Sequence, residues 1–148
     1  MGFSHEKARI VFDAPPSTVD TVHELLSVFW ERLPAVSMTD RFSFETALIE
    51  LSSNVMKHAD DGSGLSCELV IRCTGDTLTA ELFDSGRPGN VSLSAPKMPD
   101  LASEEGRGLS IIHSLVHSVS YDRASGRNRW HLMRRIGKSV PGGPGHAE

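Results

Sequence analysis

Apolar residues recur every three or four positions in two stretches of the chain, the spacing of helices that bury one face. The first stretch, Val19 to Leu33, can be capped by Ser17 or Thr18 and is stopped by Pro34. The second runs from Asp40 to near Ala59, where turn-forming residues follow. Its predicted buried stripe is Phe44, Ala47, Leu48, Leu51, Val55 and Met56. The pattern predicts two long helices.

Short runs rich in β-branched residues predict the strands, and a shorter apolar run, Leu109 to Val116, predicts a third helix. The predicted strands are Ala8 to Phe12 (an edge strand), Leu65 to Cys73, Thr77 to Phe83, Val119 to Asp122 and Arg129 to Arg135. Short glycine-containing turns, Thr74-Gly75-Asp76 and ASGRN, join the last four into two antiparallel hairpins. We therefore predict an α+β fold, a two-layer α/β sandwich whose mostly antiparallel sheet carries the helices on one face.

Length and composition fit a single domain, since the chain has 148 residues of which 39% are hydrophobic and 23% charged. Its core is expected over about 8–135, and the Gly/Pro-rich segment 137–148 is expected to be a flexible tail. A net charge of -4 without a Lys/Arg run argues against nucleic acid. No signal-like or membrane-spanning apolar segment is present, so a cytoplasmic location is expected. Cys67 and Cys73 are interpreted as reduced packing residues.

A row of polar residues interrupts the second helix at ELSSNVMKHA. Glu50, Asn54 and His58 follow one another at four-residue intervals and therefore line one stripe of the helix. The row is either a solvated face ending in a histidine that favours the helix dipole, or part of a site. In a site, the carboxylate can accept a proton and the amide oxygen can bind Mg²⁺.

Two glycine-containing stretches offer further candidate chemistry. In FDSGRPG, Phe83 to Gly89, the carboxylate of Asp84 follows a strand and can accept a hydrogen bond from a purine amine; the alternative is an ordinary Asp-Ser-Gly turn. In EGRGLSII, Glu105 to Ile112, glycines ahead of a helix can present N–H groups to phosphates; the alternative is a flexible helix start. Neither this stretch nor GKS at Gly137 to Ser139 fits a Walker loop.

In order and context, ELSSNVMKHA, DSGRP and GRGLSII resemble the N-box and the two glycine boxes of the Bergerat-fold, or GHKL, ATP-binding superfamily. The chain looks most like the anti-sigma factor serine/threonine kinases of bacterial partner-switching systems, and the resemblance covers about Ala8 to Arg135. It implies a histidine-kinase-like ATP-binding fold with ATP and Mg²⁺ as cofactors. The implied activity is Mg-ATP-dependent phosphorylation of a small anti-sigma-factor antagonist.

The same resemblance assigns roles to individual residues. It implies that Glu50 is the general base, Asn54 the Mg²⁺ ligand and Asp84 the adenine contact, with Gly86 beside it. His58 matches the family's histidine and is interpreted as structural. The implied phosphate-binding residues of the second glycine box are Gly106, Arg107, Gly108 and Leu109, and the segment Val91 to Glu105 is implied to be a lid over the nucleotide.

The chain departs from the family pattern at the last strand. Members of the family often carry a Gly-Thr pair there, with the Thr near the adenine, whereas this chain has GRNRWHLM, Gly126 to Met133. Two alternatives are open: Asn128 replaces the Thr hydrogen bond through water, or the adenine contact is weaker.

Two rival functions follow from the same motifs. One is a non-catalytic nucleotide-binding or partner-sequestering module, against which the presence of Glu50 argues because a binder needs no base. The other is the ATP-binding half of a histidine kinase. We disfavour it because we expect no phosphoacceptor helix pair ahead of the domain. Besides the antagonist, a sigma factor or another anti-sigma protein is a candidate partner, and a homodimer is left open.

Three further features have simpler explanations. His113 and His117 stand at a metal-ligand spacing, but no third ligand is near in sequence, so zinc is disfavoured. Trp30 and Trp130 are predicted to pack in the core. A group of C-terminal arginines is either a solvated face or a surface for an acidic partner; it consists of Arg123, Arg127, Arg129, Arg134 and Arg135.

Overall fold

The computed structural model describes residues 3–89 and 104–141, which form a five-stranded antiparallel sheet and three helices. The elements are β1 (Phe3–Ala14), α1 (Val19–Glu31), α2 (Met38–His58), β2 (Leu65–Gly75), β3 (Thr77–Asp84), α3 (Glu104–Leu115), β4 (Ser118–Ala124) and β5 (Arg127–Arg135). The strand order is β1-β2-β3-β5-β4, so β1 lies at an edge as predicted. The predicted α+β class is confirmed.

Alternation along the strands separates the two layers of the fold. In β3, Leu78, Ala80 and Leu82 are buried while the residues between them are partly exposed. These side chains share one core with helix residues such as Phe29 and Phe44. Asp84, the last residue of β3, has the same parity as the buried set, so its carboxylate points toward the helix side of the sheet.

Helix α2 begins earlier than predicted. Ser37 is the N-cap, its hydroxyl accepting a hydrogen bond of 3.2 Å from the backbone N–H of Asp40, and the helix starts at Met38. The predicted start at Asp40 was therefore wrong. Asp40 is buried and pairs with Arg134 at 3.0 Å. That partner lies 94 residues further along the chain, so the local pattern contains no sign of it.

Helix α3 also begins earlier than predicted, at Glu104 rather than Leu109. Gly106 and Gly108 thus lie within its first turns, and the expectation that they precede the helix was wrong. A glycine inside a helix costs only about 1 kcal/mol relative to alanine. Packing of α3 against α2 is a tertiary contribution that local propensity does not include.

The chain beyond β5 continues to contact the domain. The N–H of Gly137 donates to the carboxylate of Asp40 at 3.1 Å, and Val140 is buried. The part of the predicted tail that the structure describes, 137–141, therefore packs on the body. Residues 142–148 lie outside the described part.

The two cysteines are free and buried, as expected for packing residues. Burial raises the pKa of the Cys67 thiol to about 12, with the charges of Asp84 and Asp13 adding to the effect. Burial also raises the pKa of Cys73. Both thiols are therefore poor nucleophiles in the folded protein.

The outer face of the sheet, which none of the helices in the described residues covers, carries ion pairs. Its two groups are Arg9–Glu68–Arg127 and Arg72–Glu81–Arg129–Asp122. The Arg127 guanidinium also lies 4.1 Å from the centre of the Phe83 ring. The C-terminal arginines thus do not form one solvated face, because Arg127 and Arg129 belong to this outer surface while Arg134 is buried on the other side.

Candidate functional site

The polar row of α2, Glu50, Asn54 and His58, lies beside the buried stripe of the helix, as predicted. Ala47 and Leu48 are buried, whereas Glu50 and Asn54 are partly exposed and His58 is exposed. Among the residues that the structure describes, the side chains of Glu50 and Asn54 make no hydrogen bond or ion pair with one another or with a neighbour. Both groups are therefore available to a ligand.

The end of α2 is joined to the turn that follows β3. The N–H of Arg87 donates to the carbonyl of Ala59 at 2.9 Å, and the Arg87 guanidinium donates to the carbonyl of His58 at 2.8 Å. Gly86 permits this contact, because a Cβ at that position would lie 2.5 Å from the Ala59 carbonyl oxygen. The C-terminal end of the polar row, at His58, is thereby joined to the first glycine box.

The carboxylate of Asp84 is fully buried and accepts hydrogen bonds from three groups. The N–H of Gly86 donates to Oδ1 at 2.8 Å, which is the side-chain contact of an Asp-Ser-Gly turn. The amide of Asn128 donates to the same oxygen at 2.8 Å, and the indole N–H of Trp130 donates to Oδ2 at 2.9 Å. The predicted turn alternative is thus present, together with two donors from β5.

Asn128 has a protein partner for every hydrogen-bonding position of its amide. Its nitrogen donates to Asp84 and, at 2.6 Å, to the carbonyl of Arg87. Its oxygen accepts from the Tyr121 hydroxyl at 2.6 Å and from Arg123 at 2.8 Å. This arrangement fixes the orientation of the amide, because a flipped amide would oppose donor to donor. The amide reaches Asp84 directly rather than through water.

Tyr121 closes this network from the β4 side. Its hydroxyl accepts from the N–H of Gly89 at 2.6 Å, and its ring lies 4.4 Å from that of Trp130. A Cβ on Gly89 would lie 2.8 Å from the Tyr121 ring, so this part of the first glycine box is closely packed against two aromatic rings. We call the set the Asp84 network; its members are Asp84, Gly86, Tyr121, Arg123, Asn128 and Trp130.

Sequence reasoning did not find the contacts of Tyr121, Arg123 and Trp130 with this site. Alternation in β5 does place Asn128 and Trp130 on the face of buried Leu132. The pairing of Asp84 with Asn128 across β3 and β5, however, follows from strand order, which the pattern alone does not determine. Trp130 was correctly predicted to be a core residue.

The second glycine box lies at the start of α3. The backbone of Gly106, Arg107 and Gly108 is helical, and Leu109 is partly exposed. The predicted lid, Val91 to Glu105, lies outside the described residues apart from its last two, which open α3. Because α3 packs against α2, its N-terminal part belongs to the same helix layer as the polar row.

The described residues include no group of three or more His, Cys, Asp or Glu side chains that could hold a metal ion. The Nδ1 of His117 accepts from the N–H of Arg135 at 3.0 Å, and its Nε2 lies 3.1 Å from the carbonyl of Ser139. Both ring nitrogens are thus engaged, which leaves the zinc alternative without support. The amide oxygen of Asn54 fits Mg²⁺ held largely by phosphates and water.

A cavity of about 300 Å³ lies on another side of α2, between its C-terminal half, the end of β1 and the start of α1. Ser53, Met56 and Lys57 line it from α2. Neither Asp84 nor Asn128 borders this cavity.

The fold and these motifs together define the class of the protein. Residues 12–134 match the family model described as the histidine kinase-like ATPase domain. The match covers most of the chain, which therefore belongs to this family. A comparison with curated protein sequences gave no match.

Solved structures with the same fold come from several bacterial signalling proteins. The RsbU and RsbW domains of Rv1364c from Mycobacterium tuberculosis align with a TM-score of 0.58 at 15% identity, covering 91% of this chain and 34% of that one. The histidine kinase domain of a blue-light activated histidine kinase from Erythrobacter litoralis EL346 aligns with a TM-score of 0.52 at 16% identity, covering 66% of this chain and 45% of that one. The histidine kinase AdeS from Acinetobacter baumannii aligns with a TM-score of 0.50 at 17% identity, covering 93% of this chain and 70% of that one. The chain thus spans about a third of the length of the first of these proteins and under a half of the length of the second.

Proposed function

We propose that this protein is a Mg-ATP-dependent serine/threonine protein kinase that phosphorylates a small anti-sigma-factor antagonist. The junction between α2 and the first glycine box is the observation that carries the proposal. It joins the helix that carries Glu50 and Asn54 to the turn that follows Asp84, in a chain of the histidine kinase-like ATPase family. The similarity in fold to RsbW-containing Rv1364c supports partner switching as the setting.

Each residue has a distinct part in this chemistry. Bound ATP would supply the phosphoryl group and leave as ADP, while its Mg²⁺ would offset the negative charge. Glu50 accepts the proton of the substrate hydroxyl, and Asn54 binds the metal through its amide oxygen. The phosphates are bound at the start of α3, by the stretch Gly106, Arg107, Gly108 and Leu109, where the positive end of the helix dipole favours anions. Asp84, beside Gly86, contacts the adenine, and His58 keeps a structural role at the end of α2.

The proposed partners follow from this activity. The antagonist is the substrate, and a sigma factor or another anti-sigma protein is a second candidate partner. A homodimer remains part of the proposal, as does a cytoplasmic location. No helix in the described ranges is both long and apolar enough to cross a membrane.

Glu50→Gln tests the kinase directly. The substitution keeps the volume of the side chain but removes its basicity, so we expect ATP affinity to be retained. Phosphoryl transfer should fall by about a hundredfold to ten-thousandfold. The measurements are calorimetric titration with Mg-ATP and transfer of labelled phosphate to the antagonist candidate encoded beside this protein. Glu24→Gln, at an exposed position of α1, is the matched control and should transfer at the wild-type rate.

Asn54→Ala should give a different profile. Loss of the metal ligand should weaken Mg²⁺-dependent ATP binding as well as turnover, while binding without Mg²⁺ should change little. If wild-type protein transfers no phosphate and Glu50→Gln matches it in every partner-binding assay, the kinase proposal is wrong.

A second candidate function is a non-catalytic module that acts by sequestering a partner. The Asp84 network favours it, because the carboxylate assigned to adenine is fully buried and already accepts from three protein donors. This candidate predicts that the protein binds its partner equally well with and without Mg-ATP. The kinase predicts a nucleotide-dependent choice of partner.

A further inference from the structure

We propose that Asn128 gates the nucleotide site by occupying, from within the chain, the position on Asp84 that the amine of adenine would take. The inference rests on the proposed function, since it assumes that Asp84 is the adenine contact. It goes further by assigning to Asn128, Tyr121 and Arg123 a control of nucleotide affinity that the motifs themselves do not contain.

The argument begins with chemistry. The side-chain amide of Asn128 and the exocyclic amine of adenine are both planar NH₂ groups that donate to a carboxylate. In the structure Asn128 donates to Oδ1 of Asp84 at 2.8 Å, and that oxygen also accepts from Gly86 at 2.8 Å. Because an oxygen of a carboxylate accepts about two hydrogen bonds, Oδ1 has no position left for a base.

The other oxygen of the carboxylate is screened as well. Oδ2 accepts from the indole of Trp130 at 2.9 Å, and both Asp84 and Asn128 have 0% of their surface exposed. Trp130 and the Tyr121 ring pack directly against Gly89, at the far end of the first glycine box. A purine can therefore reach Asp84 only if this packing opens.

Asn128 is held in the closed position from its other side. Its oxygen accepts from Tyr121 and Arg123, and Arg123 also donates to the carbonyl of Gly86 at 3.0 Å. Tyr121 in turn accepts from the N–H of Gly89. Two groups thus tie Asn128 to both ends of the glycine box, so moving Asn128 also releases the backbone that a nucleotide would contact.

The consequence is a reduced apparent affinity for ATP, because only the open fraction of the molecules can bind it. When only an open minority binds, the apparent dissociation constant is the intrinsic constant divided by that fraction. Hydrogen bonds to charged groups contribute about 1.5–3 kcal/mol. Replacing Asn128 with a side chain that cannot reach Asp84 should therefore raise ATP affinity by roughly tenfold to a hundredfold.

Asn128→Thr is the main test, with Tyr121→Phe as a second variant. Asn128→Thr removes the competing amide, whereas Tyr121→Phe keeps the ring against Trp130 and removes only the hydroxyl that holds Asn128. Ser120→Ala, at an exposed position of the same hairpin, is the matched control. Calorimetric titration with Mg-ATP should give the tightest binding for Asn128→Thr, intermediate binding for Tyr121→Phe and wild-type binding for Ser120→Ala.

A second readout needs no nucleotide. The indole N–H of Trp130 donates to buried Asp84, so its hydrogen exchange in the free protein should be slow in the wild type. It should be faster in Asn128→Thr and in Tyr121→Phe, because both variants open the network more often. NMR resolves this indole resonance from that of Trp30 once a Trp30→Phe variant has assigned it.

The outcomes separate the gate from the kinase. If the wild-type protein binds Mg-ATP and transfers phosphate, but neither variant gains affinity, the proposed gate is wrong and the proposed kinase activity stands. Absence of binding in the wild type and in both folded variants overturns both proposals. Should Asn128→Thr fail to fold, as judged by circular dichroism, Tyr121→Phe decides by the same criteria.

Discussion

Single polar side chains link distant segments of this molecule, and both Asp84 and Asn128 have more than one partner. Asp84 shows the principle, because one carboxylate completes a turn through Gly86 and also joins β3 to β5 through Asn128 and Trp130. Buried polar groups with several partners are costly to expose and costly to leave unpaired. Glu50 and Asn54 make no such contacts among the described residues. The candidate site therefore has one part whose polar groups are already occupied by protein partners, around Asp84, and another whose polar groups are not.

His117 gives a prediction at the same scale. Burial lowers its pKa, helped by the charges of Arg134 and Arg135 and opposed by the Ser139 carbonyl and by Asp40. Its Nδ1 must stay unprotonated to accept from the Arg135 N–H. The unfolded chain therefore binds the proton more readily, so the stabilisation is complete above the unfolded pKa of about 6.5 and is lost as pH falls below it.

Urea unfolding between pH 8 and pH 5.5 measures this effect. The free energy of unfolding should decrease below pH 6.5, and His117→Asn should show a shallower decrease. Part of the pH dependence of the free energy of unfolding should remain in this variant, because burial also lowers the pKa values of His113 and His131. Ser139→Ala retains the backbone carbonyl that His117 contacts and is the matched control. Equal slopes in wild type and His117→Asn would show that His117 makes no contribution.

At the scale of elements, the helices are fixed by contacts at their ends as much as by their apolar stripes. The first turn of α2 contains Asp40, which binds Arg134 of β5. Arg134 also donates to the carbonyl of Leu115, the last residue of α3, at 2.6 Å. One guanidinium thus links α2, α3 and β5, and it satisfies a carbonyl that the end of α3 leaves unpaired.

Arg134→Met should be strongly destabilising, by about 3–5 kcal/mol, because it leaves the Asp40 carboxylate buried without its charge partner. The double variant Asp40→Asn, Arg134→Met should cost less than the sum of the two single changes. Arg135→Met, on the exposed side of the same strand, should change stability by at most about 0.5 kcal/mol. Denaturant titration gives all four values. Strict additivity of the two single changes would mean that the pair is not coupled.

At the scale of the whole molecule, one core holds both layers of the sandwich together, and the cysteines report on it. Cys67 and Cys73 face the helices from β2 and belong to the buried cluster. Neither thiol can meet a reagent while the helices remain on the sheet. Their accessibility therefore measures opening of the domain rather than motion of a loop.

We expect Ellman's reagent at pH 8 to react slowly with the native protein and at once with protein in denaturant. The elevated pKa of Cys67, about 12, slows the reaction further because the thiolate is the reactive form. Arg134→Met should label faster than wild type by about tenfold for each 1.4 kcal/mol of lost stability, while Arg135→Met should match wild type. Rapid labelling of the native wild-type protein would show that the sheet and helices separate without global unfolding.

Much of the fold could be predicted from the sequence because it depends on neighbours along the chain. Helical spacing gave α1 and α2, alternation with short turns gave the hairpins β2–β3 and β4–β5, and β1 was placed at an edge. The order of three motifs gave the family. The polar row was placed correctly beside the apolar stripe, since a residue's angle around a helix follows from its number alone.

Only the tertiary structure decided which distant groups meet. The burial of the Asp40 carboxylate in α2 depends on Arg134, 94 residues away, and the closure of Asp84 depends on Asn128, 44 residues away. A single sequence carries the donor and acceptor types of these residues but not the strand order that brings β3 beside β5. Periodicity is a property of one segment, whereas a hydrogen bond across the sheet is a property of two segments and of the packing between them.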